Sequence, residues 1–142
     1  MPNKRPILCN CLYYTANSLA RIITKIAEEE FSITGISPSH AFLMLLVNTS
    51  PGISPTELAN ELRLAPSTVT RLIDKLAGKD FLERRADGKT IGVYPTEAGN
   101  QMQETIYQAW HRLFERYSSI LGEVYSQELT QMIDDARQKL EN

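Results

Sequence analysis

Leu64-Ala65-Pro66-Ser67-Thr68-Val69-Thr70-Arg71-Leu72-Ile73-Asp74-Lys75-Leu76 is the stretch on which the fold turns. Within it Val69, Leu72, Ile73 and Leu76 follow the i, i+3, i+4, i+7 spacing of one buried helical stripe. The opposite face then carries Ser67, Thr68, Thr70, Arg71 and Lys75. Short hydroxyls fit close to base edges, and cations one turn later reach phosphates. Such a face suits a helix lying in a nucleic-acid groove.

The flanking residues support that reading. Ser54-Pro55-Thr56-Glu57 is a capping box with proline at the first helical position, so a helix starts there and buries Leu58, Ala59 and Leu62. Arg63-Leu64-Ala65 is a tight connection to the next helix, and Pro66 starts it. Ala65 supplies no capping oxygen, which leaves early backbone N–H groups for water or a phosphate. Two short helices joined this closely are a helix-turn-helix. After Gly78 the periodicity changes: Phe81 to Arg85 and Thr90 to Tyr94 are strand-like, and Asp87-Gly88 between them is a hairpin signal. The spacing predicts a wing with Arg84, Arg85 and Lys89 near its tip, its cations entering or flanking the minor groove. The competing reading is an exposed hairpin kept soluble by charge; its place directly after the helix-turn-helix favours the wing.

With 142 residues, 42% hydrophobic and 23% charged, the chain suits one globular core. A net charge of −2 does not oppose a nucleic-acid partner, because it is unevenly distributed. From Arg63 to Lys89 seven Lys/Arg face four Asp/Glu, whereas the remainder carries eight against thirteen. Local positive charge is what a phosphate backbone responds to. No apolar run approaches the ~20 residues of a membrane span, and the apolar stretch after Met1-Pro2-Asn3-Lys4-Arg5-Pro6 is too short for a signal peptide. No membrane partner and a cytoplasmic location are expected. Cys9 and Cys11 are too few and too close to form a disulfide scaffold or a zinc site.

The outer segments read as long helices. A first helix is expected from about Cys9 to Glu30, with Leu8, Leu12, Ala16, Leu19, Ile23 and Ile26 in one stripe, followed by a loop from Phe31 to Ile36. Ser37-Pro38 caps a helix, Ala41 to Val47, that is apolar all round and belongs in the centre. Pro95-Thr96 opens a helix whose stripe runs from Ala98 to Val124; ~25 residues would extend ~38 Å. Ser126 is then the expected cap of a last helix. Leu12, Leu113, Tyr117, Leu129, Met132 and Ile133 are the candidate dimerisation residues, since the terminal helices carry more apolar surface than one chain can cover. The expected organisation is residues 1–36 as a dimerisation helix, 37–96 as a winged helix-turn-helix, and 97–142 as C-terminal dimerisation helices. The fold class is mainly α with a small β-hairpin.

At this point the residues resemble a known family. Ser67-Thr68-Val69-Thr70-Arg71-Leu72-Ile73-Asp74-Lys75-Leu76 and Leu82-Glu83-Arg84-Arg85, in that order of elements, look like the MarR family of bacterial transcriptional regulators across nearly the whole chain. Asp87-Gly88-Lys89 and Pro95-Thr96-Glu97-Ala98-Gly99 occupy the places of that family's wing and post-wing sequences, with Lys89 where it has arginine. Lysine lacks the planar fork that suits a narrow groove. The resemblance implies a winged-helix homodimer on double-stranded DNA at a pseudo-palindromic operator. Ser54, Pro66, Ser67, Thr68, Thr70, Arg71, Lys75, Arg84, Arg85 and Lys89 are the candidate DNA-binding residues. It also implies release by a small aromatic effector or an oxidant, and repression as the mode of control, with no cofactor.

Leu8-Cys9-x-x-Leu12-Tyr13 is similar to the start of the family's peroxide-sensing branch, which makes Cys9, with Cys11 beside it, the candidate redox sensor. A cysteine at a helix start is an arrangement that promotes oxidation to a sulfenic acid. The tyrosines of that branch are replaced here by Pro38-Ser39-His40-Ala41. The other reading takes both cysteines as small apolar residues of a dimer seam.

Enzymatic readings lack residues. The sequence has no glycine-rich phosphate loop and no nucleophile elbow, and only His40 and His111 are available for acid–base work. The alternative of another class is a winged helix that binds protein rather than DNA. Such a face would expose aromatic anchors where this one carries hydroxyls and cations.

Overall fold

A computed structural model of the protein describes residues 6–142; the opening Met1 to Arg5, part of the signal-peptide reading above, lies outside the described residues. A short 3-10 turn, Ile7–Asn10, leads into α1, Leu12–Phe31. Then follow α2, Pro38–Thr49, α3, Pro55–Leu62, and α4, Pro66–Gly78. Strands β1, Leu82–Asp87, and β2, Thr90–Pro95, form one antiparallel hairpin, and α5, Glu97–Gln101, α6, Gln103–Leu121, and α7, Glu123–Glu141, complete the chain.

The core forms where α2, apolar on all sides, is covered by α3, α4, the hairpin and α6. Leu43, Met44 and Val47 of α2 meet Leu58, Val69, Ile73, Leu76, Leu82, Val93 and Ile106, all with almost no exposure. Burying a side chain of this size stabilises by roughly 1.5–3 kcal/mol, so this cluster holds the helix-turn-helix and the wing in one unit. The hairpin has an anchor that the periodicity does not announce. Ile53, just before α3, pairs with Val93: Val93 N–H donates to the Ile53 carbonyl at 2.9 Å, and Gly52 N–H to the Val93 carbonyl at 2.8 Å. Val93 thus takes part in a three-stranded ladder one residue long.

Four expected boundaries move. The first helix begins at Leu12, with Cys11 as its cap, because Cys9 and Cys11 donate back to Pro6 and Leu8 in the 3-10 turn and break the α pattern there. The segment from Phe31 is not a plain loop. Phe31 is fully buried as the last residue of α1 and packs on Phe42 with ring centroids 5.3 Å apart; a 3-10 turn, Ser32–Thr34, and Gly35 at φ 75° then bend the chain by 58° into α2.

The long helix after the wing breaks at Met102. Its first turn is fixed to the hairpin root by Thr96, whose hydroxyl donates to the Asp80 carbonyl and accepts from Gly99 N–H. Met102 N–H then bonds three residues back, to the Gly99 carbonyl, and α6 starts at Gln103. The last helix starts at Glu123 rather than at Ser126. Gly122 adopts φ 89°, which a residue with a Cβ rarely adopts, so α7 restarts directly after α6. Ser126 is buried in the first turn of α7 and donates to the Gly122 carbonyl at 2.7 Å.

α1 lies along α6, and α7 folds back against the end of α6. Glu30 in α1 joins the first pair by accepting from Arg116 at 3.1 Å and lying 3.4 Å from Arg112. No single helix among the described residues is long and apolar enough to cross a membrane.

Candidate nucleic-acid interface

Local chemistry shapes the helix-turn-helix. The Ser54 hydroxyl accepts from Glu57 N–H and donates to the Glu57 carboxylate, both at 3.1 Å, so it serves as the cap of α3. The turn passes through Arg63, which takes the left-handed conformation at φ 56°, and Leu64 N–H donates to the Ala59 carbonyl. Pro66 opens α4, and Ala65 at its cap makes no side-chain hydrogen bond.

The two faces of α4 separate as the spacing predicts. Val69, Ile73 and Leu76 are buried, while Ser67, Thr70, Arg71 and Lys75 are exposed and Thr68 is half-buried. The Thr70 hydroxyl donates to the Pro66 carbonyl at 3.0 Å, which leaves its oxygen as an acceptor for a base amino group. Arg71 and Lys75 make no ion pair among the described residues.

The wing differs from its expected chemistry. Its tip is the two-residue loop Gly88-Lys89, with Gly88 at φ 65° as the first central residue, the II′ arrangement. Arg84 and Arg85 do not sit near that tip; they lie mid-strand, opposite Val93 and Gly92. Both are held internally. Arg84 pairs with Asp74 of α4. Arg85 reaches back along β1 to Glu83, and its guanidinium lies 4.4 Å from the Tyr94 ring centre. Only Lys89, among the three wing cations, has no ion-pair partner among the described residues.

Asp74 and Tyr94 are therefore site residues that the sequence reading missed. The signal for Asp74 was an opposite charge ten residues before Arg84, which periodicity cannot connect because the two lie on different elements.

The remaining candidates lie away from this face. Leu113 is only 8% exposed and belongs to the intrachain core, and Tyr117 packs on Phe114 with ring centroids 5.6 Å apart. Leu129 is half-buried. Leu12 at 69%, Met132 at 68% and Ile133 at 51% are strongly exposed. Cys9 and Cys11 are exposed free thiols, Cys9 inside the 3-10 turn and Cys11 at the cap of α1.

A helix-turn-helix, a hairpin joined to its second helix through Asp74 and Arg84, and a cationic exposed face together define a winged helix-turn-helix. Residues 36–89 match the model of the MarR family. Solved structures with the same fold extend the likeness to nearly the full length. The transcriptional repressor CouR bound to p-coumaroyl-CoA is 18% identical, with TM-score 0.85 over 95% of this chain and 97% of that one. A MarR protein from Peptoclostridium difficile is 19% identical, with TM-score 0.80 over 100% and 94%. The Staphylococcus aureus MepR–DNA complex is 15% identical, with TM-score 0.78 over 91% and 97%. No curated protein matches the sequence. The matched segment holds α2, the helix-turn-helix and the first strand of the wing.

Proposed function

We propose that the protein binds a pseudo-palindromic operator as a homodimer, with α4 in the major groove and the wing over the adjacent backbone. The observation that carries this reading is the exposed face of α4, where Ser67, Thr70, Arg71 and Lys75 present hydroxyls and unpaired cations. Ser67, Thr68 and Thr70 are the base-reading residues. Arg71, Lys75 and Lys89 are phosphate contacts, and Arg84 and Arg85 shape the wing. Ser54 and Pro66 set the helix starts. The fold shared with MepR, known in complex with DNA, supports the same use here.

The homodimer reading rests on apolar surface at both chain ends. Ile7, Leu8, Leu12 and Tyr13 project before and along the first turn of α1, while Val124, Met132, Ile133 and Leu140 project from α7. Leu12, Leu129, Met132 and Ile133 form the seam in this reading, and Leu113 and Tyr117 brace it from within the chain. One chain carries one recognition helix, and half-sites about 34 Å apart require two.

Release by a small effector is the first reading of control, supported by the fold shared with CouR, whose structure holds bound p-coumaroyl-CoA. Release by oxidation of Cys9 or Cys11 is the second reading, favoured by the exposure of both thiols beside Leu8 and Leu12.

Gel shifts in graded salt on fragments of the parent genome test the DNA reading. A retained fragment whose affinity falls steeply with salt is expected. Equal, salt-insensitive binding to every fragment, or none, would favour the protein-interaction module instead.

A further inference from the structure

Asn48, in the last turn of α2, reaches across to the break between α5 and α6. Its amide donates to the Gly99 carbonyl at 3.1 Å and to the Gln103 side-chain oxygen at 2.8 Å, so one side chain holds the residues on both sides of Met102. A carbonyl only accepts, and Gly99 therefore fixes which end of the amide faces the break. The Oδ1 end is left buried with no hydrogen-bond partner among the described residues. An apolar side chain of similar size would leave no such atom unpaired, so packing does not account for an amide at this position.

The bonds that would fuse α5 and α6 run from the N–H groups of Gln103, Glu104 and Thr105 to the carbonyls of Gly99, Asn100 and Gln101. None is made among the described residues, and the ladder resumes with Ile106 N–H on the Met102 carbonyl at 2.9 Å. A side chain inserted into the α ladder causes such an interruption. Here it is the Asn48 amide, which occupies the Gly99 carbonyl that Gln103 N–H would otherwise use. Gly99 is held from the other side as well. Its N–H donates to the Thr96 hydroxyl, and a Cβ on it would collide with the Phe81 carbonyl oxygen at the hairpin root. Gly99 is thus fixed to the wing, whereas Gln103 opens the helix that leads to α7.

We infer that Asn48 is a positioning residue for DNA binding: it keeps α5 and α6 as two helices and so sets how the reading head sits on the dimerisation helices. The inference rests on the proposed homodimer at paired half-sites. α6 has 19 residues and extends about 28 Å. A change of direction of about 10° at its start displaces the far end by about 5 Å, more than the rise of about 3.4 Å for one base pair. With the amide removed, the open ladder closes into one helix and the preferred separation of half-sites changes.

The test compares full-length wild type with Asn48→Leu, which keeps the volume, and Asn48→Ala, which excludes overpacking. Amide hydrogen exchange, followed by NMR on the free protein, needs no DNA. The Gln103, Glu104 and Thr105 amides are expected to exchange about tenfold or more slowly in both variants than in wild type, with bonded Ile106 as the control. Gel shifts then use the fragment of the parent genome that wild type holds most tightly, with one or two base pairs inserted or deleted at its centre. The variants should bind the unaltered fragment about tenfold more weakly, regain affinity at an altered spacing, and bind non-specific DNA as wild type does. Unchanged exchange in folded variants would overturn the clamp whatever the DNA result. Slowed exchange with the wild-type spacing profile would overturn the positioning role. Loss of folding in both variants, read by circular dichroism, would make Asn48 a structural residue and overturn that role too. A wild type that holds no fragment would defeat the DNA reading, and the positioning role with it, while the exchange arm still decides the clamp.

Discussion

Arg63 donates to the Asp134 carboxylate at 2.8 Å, and this contact joins the turn of the helix-turn-helix to α7. Arg63 is the left-handed residue that ends α3, so the side chain leaves the reading head at a point fixed by backbone geometry. Asp134 also accepts from Arg137 and Gln138. The contact links the element proposed to read DNA with the helix proposed to dimerise.

Acid should expose that link. Partial burial alone would raise the Asp134 carboxyl, but hydrogen bonds from Arg137 and Gln138 and the charges of Arg63 and Arg137 outweigh it and hold the group below 3.8. A depressed carboxylate stabilises the fold above its unfolded value; this contribution is lost as pH falls from about 3.8 through the folded value. Asp134→Asn should therefore melt lower than wild type at neutral pH and converge with it in stronger acid. Thermal melts between these limits check this, and a constant difference would contradict it.

DNA affinity should separate free from paired cations. Arg71→Ala is expected to reduce the salt slope by roughly one, with similar loss on all sequences. Arg85→Ala should change the slope less, because Arg85 is already committed to Glu83 and Tyr94. Filter binding across a salt series measures both, and equal slope changes would disprove the distinction.

The two kinds of apolar residue in the helical layer should fail differently. Ile133→Asp adds charge to an exposed position and should yield folded monomers that no longer bind the operator. Leu113→Asp buries a charge in the core and should prevent folding. Sedimentation equilibrium with circular dichroism distinguishes these outcomes; a folded wild-type monomer bound singly to DNA would remove the dimer.

Gly99 should tolerate no side chain. A Cβ there would lie 2.0 Å from the Phe81 carbonyl oxygen and 2.8 Å from Met44 Cε. Gly99→Ala must push the first turn of α5 off the hairpin root. A loss of about 1–3 kcal/mol or more is expected from such overpacking, measurable by urea denaturation. A change near zero would mean that the hairpin root yields freely.

The helix-turn-helix and wing were legible in the sequence because their signals are local. The Ser54–Glu57 cap, Pro66 at a helix start, the Val69-to-Leu76 stripe and the turn at Gly88 each depend on neighbours within a few residues. The pairing of Arg84 with Asp74, the stacking of Arg85 on Tyr94, the Ile53–Val93 bridge and the break at Met102 were decided only in three dimensions. Each brings together residues or turns whose meeting depends on how α2, α4 and the hairpin pack. The same holds for Cys11 replacing Cys9 at the start of α1, where a 3-10 turn and an α-helix share one apolar pattern and only the hydrogen bonds distinguish them. Periodicity determines which face is buried; packing determines which exposed charges are already neutralised and which remain free for a ligand.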